Sequence, residues 1–276
     1  MAQYFSNLTI DYVTFYVNIY ALLISLVGII VSTKKYGRLW KTRHLRKVWG
    51  IKDKDYVVVV CSELDEPSTR QNVEPREFIY NLKYGDVDAY FEVVITLLRL
   101  YPRIKLKIMS SGEVSSTKID LAQHLILIGG PDYNMLTEKV IKKNITRYDY
   151  LSPYVEKQST MFPNEIFIHD KVNSNEFFEE DDDKDFGYFE RIKNPNNPNS
   201  NIILFGGCHT IGVTAAVKAI SMADSEHGEI PKIVLDNAKL VSRSMKKNIE
   251  FSYIVSAERT GQTINTPIIG NSNINN

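Results

Sequence analysis

From Val13 to Ser32 the chain reads VTFYVNIYALLISLVGIIVS, with no ionised side chain. Wound as a helix, that run matches the ~30 Å hydrocarbon core of a bilayer. A secretory signal peptide would need a positively charged start and a small-residue cleavage site, and neither is present. A buried core helix is not usually followed by a one-sided basic run, and here one follows at once. Lys34, Lys35, Arg38, Lys41, Arg43, Arg46 and Lys47 come before the first acid, Asp53, whereas the residues ahead of the span hold one acid and no Lys or Arg. Basic flanks stay on the cytoplasmic side. The reading is a transmembrane helix over 13–32, contacting membrane lipid, with the N-terminus outside and the remainder in the cytoplasm. Tyr12, Tyr16 and Tyr20 suit the outer interface and Trp40 the inner one. Asn18, Ser25 and Gly28 are candidates for a helix–helix contact.

The basic run is either a topology signal alone or also a grip on anionic headgroups. Nucleic acid is excluded as a partner, because 33 basic residues balance 33 acidic ones and leave no global basic field. Two cysteines, Cys61 and Cys208, suit a reducing compartment and give no disulfide framework. The organisation expected is an extracytoplasmic segment over 1–12, the span, a basic juxtamembrane linker over 33–51, a cytosolic domain over 52–260, and a disordered Asn-rich tail over 261–276.

Within the domain, apolar runs alternate with helical patterns. YVVVVCSE from Tyr56, KLKIMSSGE from Lys105, HLILIGGPDYN from His124 and NIILFGGCHTIG from Asn201 read as strands ending in small residues. The stretch from Asp86 places Val87, Tyr90, Phe91, Val94, Leu97, Leu98 and Tyr101 at helical intervals, with Asp86 as a cap and Pro102 as a stop. Helices are also expected from Asn134 and from Val213, and a last strand from Ile249. Continuous apolar strands between helices mean a parallel sheet covered on both faces. The fold class is therefore α/β: a Rossmann-like, doubly wound parallel sheet behind a single transmembrane helix. A small antiparallel insertion or edge is expected over about 148–198. It contains EIFIHD, FGYFERI, an acidic run through Glu179, Glu180, Asp181, Asp182 and Asp183, and a loop NPNNPNSN.

Ligands of open α/β sheets bind beyond the carboxyl ends of the strands. Here those ends supply Ser62 and Glu63; Ser111 and Gly112; Gly129, Gly130, Pro131 and Asn134; and Gly206, Gly207, His209, Thr210 and Gly212. Both Gly-Gly loops run into helix N-termini, whose N–H groups favour anions. As a set they suggest a cradle for a small phosphate-bearing ligand of nucleotide type; the bland alternative is that the glycines only permit tight turns. The Gly207–Gly212 spacing is Walker-like, but Val213 and Thr214 stand where a P-loop needs Lys and Ser/Thr, and no G-x-G-x-x-G is present.

His209 is read as a phosphate ligand, a general acid/base or a helix cap. Cys208 beside it is not expected to form a nucleophile pair, and Cys61 reads as a small core residue. Glu63, Asp65 and Glu66 either grip a ribose hydroxyl or activate water, or form an exposed turn. The acidic run lacks the spacing of a calcium loop. His169 and Asp170 read as a strand end, and no metal site or resident cofactor is expected.

HLILIGGPDYN, FGYFERIKNPNNP and NIILFGGCHTIGVTAAVKAI together resemble a Rossmann-like domain with a strand–GGP-x-x-N–helix element. It occurs in bacterial proteins of unassigned function and is similar to the C-terminal region of archaeal surface-layer proteins. The resemblance spans roughly Tyr56 to Ala223. It maps Gly129, Gly130, Pro131 and Asn134, and Gly206, Gly207, His209 and Gly212, and it implies a fold more than an activity. A wall-building role does not suit the expected cytosolic orientation. In layout, one helix plus a cytosolic domain looks like membrane-tethered sensors or effectors of bacterial stress and anti-phage systems.

The function expected is a membrane-anchored sensor or effector module that binds a nucleotide-type ligand. The alternatives are a tethered nucleotide hydrolase or glycosyl-cleaving enzyme, with Glu63 and His209 as acid/base candidates, and a protein-interaction scaffold. A second copy of the chain is a candidate partner.

Overall fold

The computed structural model describes residues 17, 19–28, 37, 39–63, 84–116, 120–151, 166–173, 176–179, 184–223, 229–245, 249–260 and 263–269. The chain divides into two units, Met1–Arg43 and His44–Asn276. In the first, residues 19–28 are helical and all exposed, with Leu22 and Ile24 each at 72 %. Among the described residues no helix is long and apolar enough to cross a membrane. Both ends of the 13–32 run, with Tyr12, Tyr16 and Asn18, lie outside them. The Arg43 guanidinium stacks 4.2 Å over the Trp40 ring.

The second unit begins eight residues earlier than the expected 52. A short helix, α1 (Arg43–Trp49), buries Leu45, Val48 and Trp49 completely. Residues 44–51 are therefore core rather than linker. Two cations of the basic run serve the fold: Arg46 donates to Leu100 O, and Lys47 Nζ donates to Ser242 O at 2.5 Å and Met245 O at 3.3 Å. Those carbonyls end two other helices, where positive charge offsets unpaired C=O groups and the helix dipole.

The central sheet joins β1 (Tyr56–Cys61), β2 (Lys105–Ser110), β3 (His124–Ile128), β7 (Asp185–Asn194), β8 (Asn197–Gly207) and β9 (Phe251–Ala257) in the order β2-β1-β3-β8-β7-β9. The pairs β1–β2, β1–β3 and β3–β8 are parallel, so the α/β expectation of a mostly parallel sheet holds. Strand β7 runs against both neighbours. It is flanked on each side, so FGYFERI lies inside the main sheet rather than at an edge. NPNNPNSN is not an open loop either. It turns at Pro195–Asn196 and re-enters the sheet at Asn197. Asn194 Oδ1 accepts from Asn196 N at 2.9 Å, closing the turn as Asn side chains do.

Alternate residues of β1 feed two cores. Val57, Val59 and Cys61 pack with α1, α2 (Tyr84–Leu100), α5 (Thr210–Lys218) and α6 (Lys232–Ser244). Val58 and Val60 pack under α4 (Met135–Lys142) and a three-stranded antiparallel sheet. That sheet comprises β4 (Tyr148–Leu151), β5 (Phe167–Asp170) and β6 (Phe177–Glu179). A six-residue helix α3 (Ser111–Ser116) follows β2, and a short hairpin pairs β10 (Arg259–Thr260) with β11 (Thr263–Ile264).

Helix α2 starts at Tyr84, so Asp86 lies in its first turn rather than at its cap. Its buried stripe is Ala89, Val93, Leu97 and Leu100, while Phe91 and Leu98 face outward. Helix α6 had no counterpart in the sequence reading. Its buried face includes Asn237, whose Nδ2 donates to Ala219 O at 3.0 Å and Pro267 O at 2.8 Å. Ile269 N returns a bond to Asn237 Oδ1, and Ile269 is 3 % exposed. Pro267 and Ile269 thus anchor the segment 263–269 to the fold rather than leaving it a disordered tail; 261–262 and 270–276 lie outside the described residues.

Candidate functional site

The register sets Cys61 beside both Ser110 and Ile128, and Ile128 beside Phe205. All four parallel strands therefore end at one edge, and the four loops singled out in the sequence meet there. Side chains from each loop brace the next.

Glu63, just past β1, reaches β2. Its Oε2 accepts from Ser110 Oγ at 2.9 Å and from Gly112 N at 2.6 Å. A Cβ at position 112 would collide with this carboxylate, which accounts for the glycine. Ser110 and Glu113 cap α3 reciprocally: Ser110 N donates to Glu113 Oε2 at 2.9 Å and Glu113 N to Ser110 Oγ at 3.2 Å. This is the S-x-x-E capping box, a signal present in the sequence and not drawn from it. Ser111 Oγ accepts from Met135 N at 2.8 Å, tying α3 to the start of α4.

Gly129 has φ +97°, a conformation natural to glycine, and any side chain there would strike Ser62 and Asp86. Ser62 Oγ donates to Ile128 O at 3.1 Å. Asn134 is fully buried. Its Oδ1 caps α4 by accepting from Leu136 N and Thr137 N at 3.1 and 3.2 Å. Its Nδ2 donates to Ile128 O at 3.0 Å and Val60 O at 3.4 Å, clamping β3 to β1. Pro131 is buried, and Gly130 packs against the Tyr150 ring. Tyr150 OH donates to Asp132 Oδ2 at 3.2 Å, and burial beside that carboxylate holds its phenol well above the ordinary range.

At the second Gly-rich loop, the helix N-terminus already holds an anion. Asp185, at the start of β7 and 3 % exposed, accepts from Gly212 N at 2.5 Å, His209 N at 3.3 Å and Phe186 N at 2.7 Å. Burial raises its pKa above the usual carboxylate value, opposed by these N–H groups and by the neighbouring His209. Gly212 and Gly187 pack so closely across this junction that a Cβ on either would meet backbone, and Gly207 has no room beside Val213 N. Gly206 lies against the Tyr188 ring.

His209 occupies the N-cap position of α5 with an exposed side chain, but makes no side-chain cap bond; Asp185 supplies the cap instead. Thr210 opens the helix, and its carbonyl accepts from Thr214 Oγ1 at 3.0 Å. Asp185 was missed in the sequence because it follows the acidic run closely and nothing in the pattern marks it as buried.

Neither cysteine is arranged as a nucleophile. Burial pushes the Cys61 thiol up to about 12. Cys208 is buried and donates to Phe178 O at 3.3 Å. Strands β1 and β8 are two places apart in the sheet, so the backbones carrying Glu63 and His209 are separated by about 10 Å. Asp65, Glu66 and residues 180–183 lie outside the described residues, and among the described residues no group of three or more His, Cys, Asp and Glu could hold a metal. Asp170 pairs with Arg147 in a buried ion pair.

Residues 61–63, 110–114, 129–134 and 206–212 carry Glu63, Glu113, Asp132 and His209 but no Lys or Arg. Several N–H groups expected to face a phosphate are engaged by Asn134, Ser111, Glu63 and Asp185. Comparison with protein-family models, with curated proteins and with solved structures returns no match.

Proposed function

We propose that this chain is a membrane-anchored, Rossmann-like binding module. It takes a nucleotide-type ligand at the carboxyl edge of its parallel strands through the sugar and base rather than the phosphate. The observation that carries the reading is the braced carboxyl edge, rich in carboxylates and lacking Lys and Arg. There a carboxylate accepts from ribose hydroxyls or ring amines, while a phosphate meets like charge and helix N-termini already capped. Isothermal titration of the full chain in lipid nanodiscs against adenosine, guanosine, their monophosphates and inorganic phosphate tests it. Nucleosides are expected to bind at least as tightly as their monophosphates, and phosphate alone not at all. No heat with any nucleoside overturns the reading.

The anchor is the 13–32 helix, with the domain in the cytoplasm. Two features support it: the uncharged run itself, and the exposure of apolar side chains all around 19–28, which need an apolar surrounding. Arg46 and Lys47 serve the domain, so Lys34, Lys35, Arg38, Lys41 and Arg43 remain as the orienting charges. Protease added outside intact cells is expected to leave the domain whole. Release of the chain by carbonate without detergent would remove the anchor.

A scaffold role is the second reading, favoured by the internal engagement of the loop donors. Under it, oligomers form without ligand and survive Asp132→Asn and His209→Ala unchanged.

A further inference from the structure

We propose that the β4–β5–β6 sheet is a proton-latched cover: it seats on the central sheet while Glu190 is protonated and opens progressively as Glu190 gives up its proton. Glu190 lies mid-strand on β7, 1 % exposed, under the small sheet. One carboxyl oxygen is well placed. Oε1 accepts from Arg147 N at 2.6 Å, where the chain enters β4, and from Ser252 Oγ on β9 at 2.8 Å. The other, Oε2, is buried with no hydrogen-bond partner, as are Tyr148 OH, Tyr188 OH and Arg147 Nη1. The two tyrosine rings lie 5.5 Å apart. Polar atoms of this kind are rare in folded interiors and costly, and an ionised oxygen costs more than a neutral one.

The cations around Glu190 feel its charge but are bonded elsewhere, and burial outweighs them. From the entry to β4 come Arg147 and Tyr148, and the Arg147 guanidinium is committed to Asp170 at the end of β5. Lys171, just after β5, draws Glu190 toward its charged form, but its ammonium is bonded to Asn144 and Thr146. Tyr188 approaches from β7 itself, while β8 and β9 place Leu204 and Ser252 opposite. Asp149, Asp170 and Glu176 act on the neighbouring tyrosines and add negative charge. Burial dominates and lifts the Glu190 carboxyl from 4.5 to about 7.

The linkage has a definite sign. In the seated state Glu190 holds its proton up to about 7; in an opened state it ionises near its ordinary value. Between those values only the seated state is protonated, so opening becomes more favourable by about tenfold per pH unit and levels off above the upper one. The small sheet is the part that gives way, because Tyr148 and Ile168 cover the face of β7 that carries Tyr188, Glu190 and Ile192, and water reaches the carboxylate only when that cover lifts.

Hydrogen exchange of the full chain in nanodiscs, followed from pH 5 to 8.5 and corrected for intrinsic chemistry, tests the cover. Residues 148–151 and 167–170 are expected to lose protection by about fortyfold from pH 5 to 7 and by roughly twofold more before the plateau, with β1 and β3 lagging behind. Glu190→Gln, close in shape and uncharged, flattens the curve. Ser252→Ala removes a donor to the ionised oxygen and moves the plateau up by about one pH unit. A flat wild-type curve overturns the proposal, as does an equal rise in Glu190→Gln. Parallel loss of protection in β1 and β3 also overturns it, since the whole domain would then be responding. Should Glu190→Gln fail to fold, an unmoved plateau in Ser252→Ala is decisive against it.

Discussion

The two Gly-rich loops at the carboxyl edge solve the same problem with different chemistry. The loop before α4 caps its helix with a neutral amide from the adjacent residue, Asn134. The loop before α5 takes a carboxylate from another strand, Asp185. Asn134 both accepts and donates, holding two helix N–H groups and two strand carbonyls. The Asp185 bonds are all acceptances, from Gly212, His209 and Phe186. A cap that must also clamp a sheet requires an amide, whereas one that gathers N–H groups on both oxygens requires a carboxylate.

Exchanging the two chemistries tests the contrast most severely. Asn134→Asp keeps the cap but replaces the donating Nδ2 by an oxygen facing the Ile128 and Val60 carbonyls, so urea unfolding should show a loss of about 3 kcal/mol. Asp185→Ala leaves the N–H groups at the α5 terminus without their acceptor and is expected to cost about 2 kcal/mol by the same measurement. Asp185→Asn keeps one acceptor but turns the other oxygen into a donor facing a backbone N–H, so a cost of about 1–2 kcal/mol is predicted. A penalty near zero would show that one accepting oxygen is enough to hold the α5 junction.

The pH response separates the loops further. The Asp185 carboxyl is raised in the fold, so its contribution is complete below the ordinary carboxylate value and is lost as pH rises through the folded one. Asp185→Asn should remove that part of the stability–pH curve, whereas Asn134 contributes no titration. The smallest effect belongs to His209→Ala. An exposed side chain without a cap bond is worth less than about 0.5 kcal/mol, measured as the midpoint of urea unfolding at constant slope.

This contrast also explains what the sequence disclosed. The parallel strands, the helices after them and the shared edge of the loops follow from continuous apolar runs ending in small residues. Asn134 is next to the helix that it caps, so its role is local and within reach of pattern. Asp185 acts across a long sequence separation, and nothing in DDDKD marks its last carboxylate as buried. The same holds for Glu190, whose polar letter inside FGYFERI gives no hint that it faces a second sheet. Helix α6 escaped because Asn237 interrupts its apolar stripe with an amide that pays its way through three hydrogen bonds. The linker expectation failed for a related reason. Leu45, Val48 and Trp49 sit among cations that dominate any reading by charge, yet these three residues form the buried face of α1.

That small helix sets where the protein can be cut. Arg191 donates to the Lys47 and Val48 carbonyls and to Ile249 O, so it is a rivet through α1, β7 and the approach to β9. A recombinant fragment starting at Lys52 would leave the rivet half-bare and a tryptophan-sized hole beside Phe205.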